Sequence, residues 1–190
     1  MKKGRLEAFS DGVIAIVITV MVFDIKAPSD TSWTGLAEVL PSIATYVMSF
    51  LYLGIYWNNH HHMLQVTDRI NGTILWTNLH LLFWLSLLPF GTNWMRASEF
   101  SPLPTATYGT ILLFAAVAYK LLQTSIIRFQ GADSRLANAV GTDWKGKLSL
   151  VVYGAAMVVA VYEPLAAVAI YAIVAVLWTI PDRRIEKLFE

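Results

Sequence analysis

The chain has 190 residues, of which 56% are hydrophobic and only 14% charged, with a mean hydropathy of +0.55 and a formal net charge of +1. An ordinary soluble domain carries about 25% charged residues, so too little charge is available here to coat a water-exposed surface. The near-neutral balance offers no basic field for nucleic acid, and the absence of cysteine excludes disulfides, thiolate metal sites and thiol redox chemistry. Seven Trp, eight Tyr and nine Phe suit a protein with two lipid–water interfaces to anchor.

In chain order, the first element is a basic N-terminus, Met1-Lys2-Lys3-Gly4-Arg5, followed by an apolar run over 6–25. The run contains Ser10 and Asp11 and no small-x-small cleavage site follows it, so it reads as a retained membrane helix rather than a signal peptide. A helix needs about 20 mostly apolar residues to cross a hydrocarbon core of about 30 Å. Further spans are expected at 39–57, with Pro41 in the first turn, at 74–94, kinked near Pro89, and at 105–127.

The last apolar stretch, Leu148 to Ile180, would be about 50 Å long as one helix. Glu163-Pro164 near its middle divides it into spans at 148–162 and 165–180. The expectation is thus an all-α, single-domain protein with six spans. Placing the N-terminus in the cytoplasm puts eleven basic residues on that side: Lys2, Lys3, Arg5, Arg69, Arg128, Arg135, Lys145, Lys147, Arg183, Arg184 and Lys187. Only Lys26 and Arg96 fall on the other side, a strong positive-inside bias that also places the C-terminus in the cytoplasm. The polar stretch 129–147 is expected to be a loop, with Gly131, Gly141 and Gly146 interrupting any helix.

Polar residues within spans are the first candidates for function. On the first helix, Phe9, Gly12, Ile16, Thr19, Val20 and Phe23 share one face at 100° per residue. Asp11 points elsewhere and lies six residues from Arg5, so it needs a partner on another helix or water. Ser10-Asp11 can equally be a structural cluster tying helices together. Trp57-Asn58-Asn59-His60-His61-His62 follows the second span. Consecutive helical residues point 100° apart, so three adjacent histidines do not converge on one metal ion, and no HExxH-type spacing is present. Hydrogen bonding is the better reading, with one histidine a candidate partner for Asp11 or Ser10. His80 reads as a satisfied interior histidine and Lys120 as a snorkelling or paired cation. Asn78, Ser86 and Gln123 read as interhelical hydrogen-bonding groups. No phosphate loop, no GxSxG and no TVGYG filter is present; Ala106-Thr-Tyr-Gly-Thr110 is only faintly similar to that filter.

The run Arg5-x-x-x-Phe9-Ser10-Asp11-Gly12-x-x-Ala15-Ile16 resembles the RxxxFSDxxxAI signature of the endolysosomal potassium channel family typified by transmembrane protein 175. Trp57-x-x-His60-His61 is similar to a second motif of its bacterial branch. The resemblance implies a single six-helix repeat in the bacterial inner membrane, assembling as a homotetramer whose first helices line a potassium pore. It implies a constriction at Ile16, with Val20 and Phe23 further along the face, and Thr19 as the hydroxyl that contributes to potassium preference. It also implies a network of Arg5, Phe9, Ser10, Asp11, Trp57, His60 and His61 holding the helix ends. No cofactor or metal is implied beyond the permeant K+, and the bilayer and further copies of the chain are the partners. Two alternatives remain open: a proton-coupled secondary transporter using Asp11 and the histidines, and a non-transporting scaffold or metal-binding protein built on the histidine cluster.

Overall fold

A computed structural model describes residues 3–141 and 143–179, all in helices and short connections. Helix α1 (Lys3–Met21) runs on as a single 3-10 turn, Val22–Asp24, before an extended link to α2 (Trp33–Gln65). There follow α3 (Gly72–Ser86), α4 (Leu88–Ala97), α5 (Pro102–Gln130), the short α6 (Arg135–Val140), α7 (Trp144–Tyr162) and α8 (Pro164–Thr179).

Local chemistry sets most of these boundaries. The Ser32 hydroxyl caps α2 by accepting from the Thr34 and Gly35 amides, and Asn71 caps α3 by accepting from the Ile74 amide at 2.9 Å. Prolines at the first positions of α4, α5 and α8 supply helical φ where no amide is needed. The expected third span is two helices that break at Leu87, because Pro89 withholds an amide and α4 restarts with it in the first turn. At Glu163-Pro164 the chain reverses, and Trp178 near the end of α8 reaches Ser149 near the start of α7, so the two run antiparallel.

Other boundaries differ from expectation. Regular α1 ends at Met21 and the 3-10 turn at Asp24, short of Ile25. Helix α2 starts at Trp33 rather than at 39 and does not stop at Trp57 but continues through the histidines to Gln65, where the polar side chains find partners, Asn59 at the Ile55 carbonyl one turn back and His60 at Asn78 of α3. The loop between α5 and α7 contains α6, capped by Ser134 and closed by Gly141 at φ 52°. Gly146 breaks nothing: it lies in the first turn of α7, where its amide bonds the Asp143 carboxylate, and a Cβ there would crowd that carboxylate at 2.7 Å. Among the described residues, five stretches are long and apolar enough to cross a membrane, namely Lys3–Asp24, α2, Gly72–Ala97, α5 and α7. Helix α8 is apolar but has 16 residues, about 24 Å of rise, less than a typical core. Ile180 and the expected C-terminal basic residues Arg183, Arg184 and Lys187 lie outside the described residues, as does Lys2.

Helix α5 is the hub, packing on α3, α4, α7 and α8. Its Gly109 admits the Tyr171 ring of α8: an added Cβ would stand 2.1 Å from the tyrosine oxygen. Helix α1 packs on α2 and α3 at the margin of the bundle, with only one side covered.

Candidate functional site

The covered side of α1 consists of Leu6, Ser10, Ile14, Val17 and Met21. The opposite side, with Phe9, Gly12, Ile16, Thr19, Val20 and Phe23, is exposed in the single chain. Ile16 is 63% and Phe23 82% exposed, too much for large apolar side chains that face water. Helical periodicity alone sorts these residues into the same two faces. The Thr19 hydroxyl donates to the Ile16 carbonyl at 3.0 Å, and its oxygen keeps its capacity to accept.

Polar anchors hold α1 against its neighbours at its N-terminal half. Ser10, Asn78 and His60 are all fully buried and form one continuous chain of hydrogen bonds. Ser10 donates to the Leu6 carbonyl at 2.8 Å and accepts from the Asn78 amide at 3.0 Å. The Asn78 carbonyl lies 2.7 Å from His60 Nε2. Because the Asn78 nitrogen is committed to Ser10, its oxygen can only accept, and His60 must carry its proton on Nε2. The chain ties α1 to α3 and α3 to α2 through groups too deep for water to substitute.

Beside it, the Trp57 indole Nε1 donates to Asp11 Oδ1 at 3.0 Å, joining α1 to α2 directly. His61 stacks on Trp57 with ring centroids 6.0 Å apart and an interplanar angle of 24°. The histidine that sequence reasoning offers Asp11 is therefore replaced by the tryptophan, while a histidine reaches Ser10 only through Asn78. Arg5 and Phe9 stand exposed on α1; Arg5 makes no hydrogen bond or ion pair among the described residues. At the other end of α1, Asp24 accepts from the Asn93 amide of α4 at 3.3 Å, and Arg96 donates to the Asn93 carbonyl at 3.3 Å.

The remaining polar candidates lie apart from this face. His80 accepts from the Trp84 indole at 2.9 Å within α3, so it is satisfied as expected, though half-buried rather than interior. Lys120 pairs with Asp143 at 2.5 Å and donates to Gln123 at 2.8 Å. A cluster that sequence reasoning missed joins Ser49, Thr92 and Tyr108, with hydroxyl oxygens 2.7 and 2.9 Å apart, inside the bundle. Hydroxyl residues carry no spacing signal, so only packing reveals such a cluster. Among the described residues no group of three His, Asp or Glu side chains is arranged to hold a metal ion.

Residues 5–89, which carry the Ser10–Asn78–His60 chain and the Trp57–Asp11 bond, match the family described as endosomal/lysosomal potassium channel TMEM175. A protein described as a potassium channel in Chryseobacterium is 49% identical over 98% of this chain and 97% of its own length. A described potassium channel of Streptomyces collinus is 35% identical over 67% of this chain and 66% of its own. The zebrafish protein described as endosomal/lysosomal proton channel TMEM175 is 30% identical over 70% of this chain, but this chain spans only 26% of that longer protein. The fold is that of the crystal structure of a lysosomal potassium-selective channel TMEM175 homologue from Chamaesiphon minutus, with a TM-score of 0.81 over 95% of this chain and 97% of that one, at 24% identity. With a near-full-length relative at this identity and the family's own segment running through α1, α2 and α3, the chain is a multi-pass membrane protein that belongs to the TMEM175 potassium channel family.

Proposed function

We propose that the chain is one subunit of a homotetrameric, potassium-selective channel of the bacterial inner membrane. Each subunit contributes six spans with both termini in the cytoplasm, and α8 crosses as a short span beside α7. The exposed face of α1 lines the pore. One observation carries this reading: α1 buries one polar-anchored side and leaves a continuous apolar side, with a single hydroxyl, facing away from its own bundle. Further copies of α1 would cover that face around an axis.

In such a pore, Ile16 forms the neck, with rings of Val20 and Phe23 beyond it. An apolar neck gates by excluding water rather than by a plug. Thr19, its hydrogen already given to the Ile16 carbonyl, presents oxygen lone pairs that can replace part of an ion's hydration shell. With no TVGYG carbonyl ring, discrimination between K+ and Na+ rests on few ligands and is weaker than in a carbonyl filter. The described potassium channels among the relatives support K+ as the permeant ion. The anchors of Ser10, Asp11, Trp57, His60 and His61 serve to hold α1 at a fixed distance from the axis, whereas Arg5 and Phe9, exposed on α1, anchor nothing among the described residues of the single chain, and the chain carries ions without catalysing a reaction.

The test is potassium flux into liposomes reconstituted with the purified protein, with Ile16→Asn alongside. Faster passage of K+ than Na+ by the wild type, and a leakier variant, support the reading. Silence under a simple ion gradient, with uptake driven by a proton gradient, would overturn it and make Asp11 and the Ser10–Asn78–His60 chain the candidate proton path.

A further inference from the structure

Between α2, α5 and α7 lies a cleft of about 70 Å³ that the α1 face does not use. This is several times the space that one water molecule needs. Its polarity is graded along the helices. At one end the Tyr153 hydroxyl donates to Tyr52 at 3.3 Å and closes the cleft. Seven residues further along α2, about 10 Å by helical rise, Asn59 stands at the other end with Lys120, Asp143 and Lys147. The walls between are aromatic and aliphatic except at Ser149, whose hydroxyl accepts from the Trp178 indole at 2.8 Å, so the cleft has the profile of an amphiphile: a mostly apolar shaft with charge at its mouth.

The groups at the mouth specify the sign. Lys120 and Asp143 neutralise each other at 2.5 Å. Lys147 is exposed and makes no ion pair among the described residues, which leaves one uncompensated positive charge. One helical turn deeper, Tyr56 is only 9% exposed and lines the cleft. Its hydroxyl makes no hydrogen bond among the described residues, whereas the neighbouring Tyr119 hydroxyl donates to the Asn59 carbonyl at 3.3 Å. A hydroxyl on a largely buried side chain that lines the cleft and has no protein partner marks a position for a ligand's acceptor.

We propose that this cleft holds one anionic phospholipid of the cytoplasmic leaflet. A segment of its acyl chain lies along the tyrosine walls and its phosphate sits at the mouth against Lys147, beside the neutralised Lys120–Asp143 pair. Tyr56, about 4.5 Å deeper by helical rise, donates to the ester oxygens below the phosphate. The site is independent of the conduction reading, since it involves none of the exposed residues of α1; its placement in the cytoplasmic leaflet rests on the orientation proposed above.

The experiment uses delipidated protein in uncharged detergent, titrated with dioleoylphosphatidylglycerol, dioleoylphosphatidylcholine or inorganic phosphate. Native mass spectrometry counts bound lipid and thermal unfolding reads the stabilisation. Phosphatidylglycerol should bind and raise the melting temperature, phosphatidylcholine should do so less, and inorganic phosphate alone should do neither. Lys147→Glu, a change at an exposed side chain, should weaken phosphatidylglycerol binding about tenfold or more. Ala116→Phe, which fills the cleft, should abolish binding in folded protein. Equal binding by the wild type and Lys147→Glu overturns the proposal, as does equal stabilisation by inorganic phosphate, which would make the mouth a simple anion site. If Ala116→Phe does not fold, Lys147→Glu and the phosphate arm decide the matter.

Discussion

Replacing Asn78 by alanine removes two hydrogen bonds at once, the 3.0 Å bond to Ser10 on α1 and the 2.7 Å bond from His60 on α2. Interhelical hydrogen bonds in membrane proteins average about 0.6 kcal/mol, so the two bonds alone account for about 1.2 kcal/mol. The greater cost comes from the group left behind. Ser10 keeps its bond to the Leu6 carbonyl, but His60 Nε2–H has no other described partner and the residue is fully buried. A stranded buried donor costs about 1–3 kcal/mol. The expected loss is therefore about 2–4 kcal/mol, read as equilibrium unfolding of purified protein in detergent micelles. A double-mutant cycle with His60→Leu isolates the stranded group, since removing both partners should cost less than the sum of the single changes by at least about 1 kcal/mol. A loss below about 0.5 kcal/mol for Asn78→Ala, or additivity in the cycle, would show that water or another group satisfies His60 and that the buried chain does not hold the helices as described.

Three further changes test other parts of the structure. Trp57→Phe keeps a ring over His61 but deletes the donor to the half-exposed Asp11, and should cost about 0.5–1.5 kcal/mol in the same unfolding assay, fading at high salt. Gly109→Ala pushes a methyl group into the Tyr171 side chain and should destabilise by about 1–3 kcal/mol, with Gly109→Ala/Tyr171→Phe recovering part of the loss. Lys120→Met should leave K+ flux in liposomes unchanged, because Lys120 faces the cleft between α2, α5 and α7 rather than α1; an altered K+ to Na+ ratio would place it on the ion path.

Much of the architecture could be read from the chain alone because bilayer physics is one-dimensional. Too little charge for a soluble surface, apolar runs near the length of a membrane crossing and basic residues gathered on alternate connections are properties of position along the sequence. Proline acts locally too, so the breaks near Pro89 and at Glu163-Pro164 were legible. The same holds for the two sides of α1, since a 100° turn per residue separates Leu6, Ser10, Ile14, Val17 and Met21 from Ile16, Val20 and Phe23 without reference to anything else. The length of α2 was not legible, because Asn58 to His62 look like a polar helix end until their partners are known.

Those partners are fixed only when the helices dock. Asp11 meets Trp57 across 46 positions and Asn78 meets Ser10 across 68, separations over which sequence spacing carries no geometric information. Which helix lies beside which is set by small residues such as Gly109 that let one backbone approach another's side chains, and by the requirement that each buried polar group find a mate. Spacing along α1 is enough to require that Asp11 find a partner on another helix or in water, and to mark Ser10-Asp11 as a tie between helices. Packing is what selects Asn78 and Trp57 for the task, because hydrogen-bond partners are chosen by three-dimensional proximity.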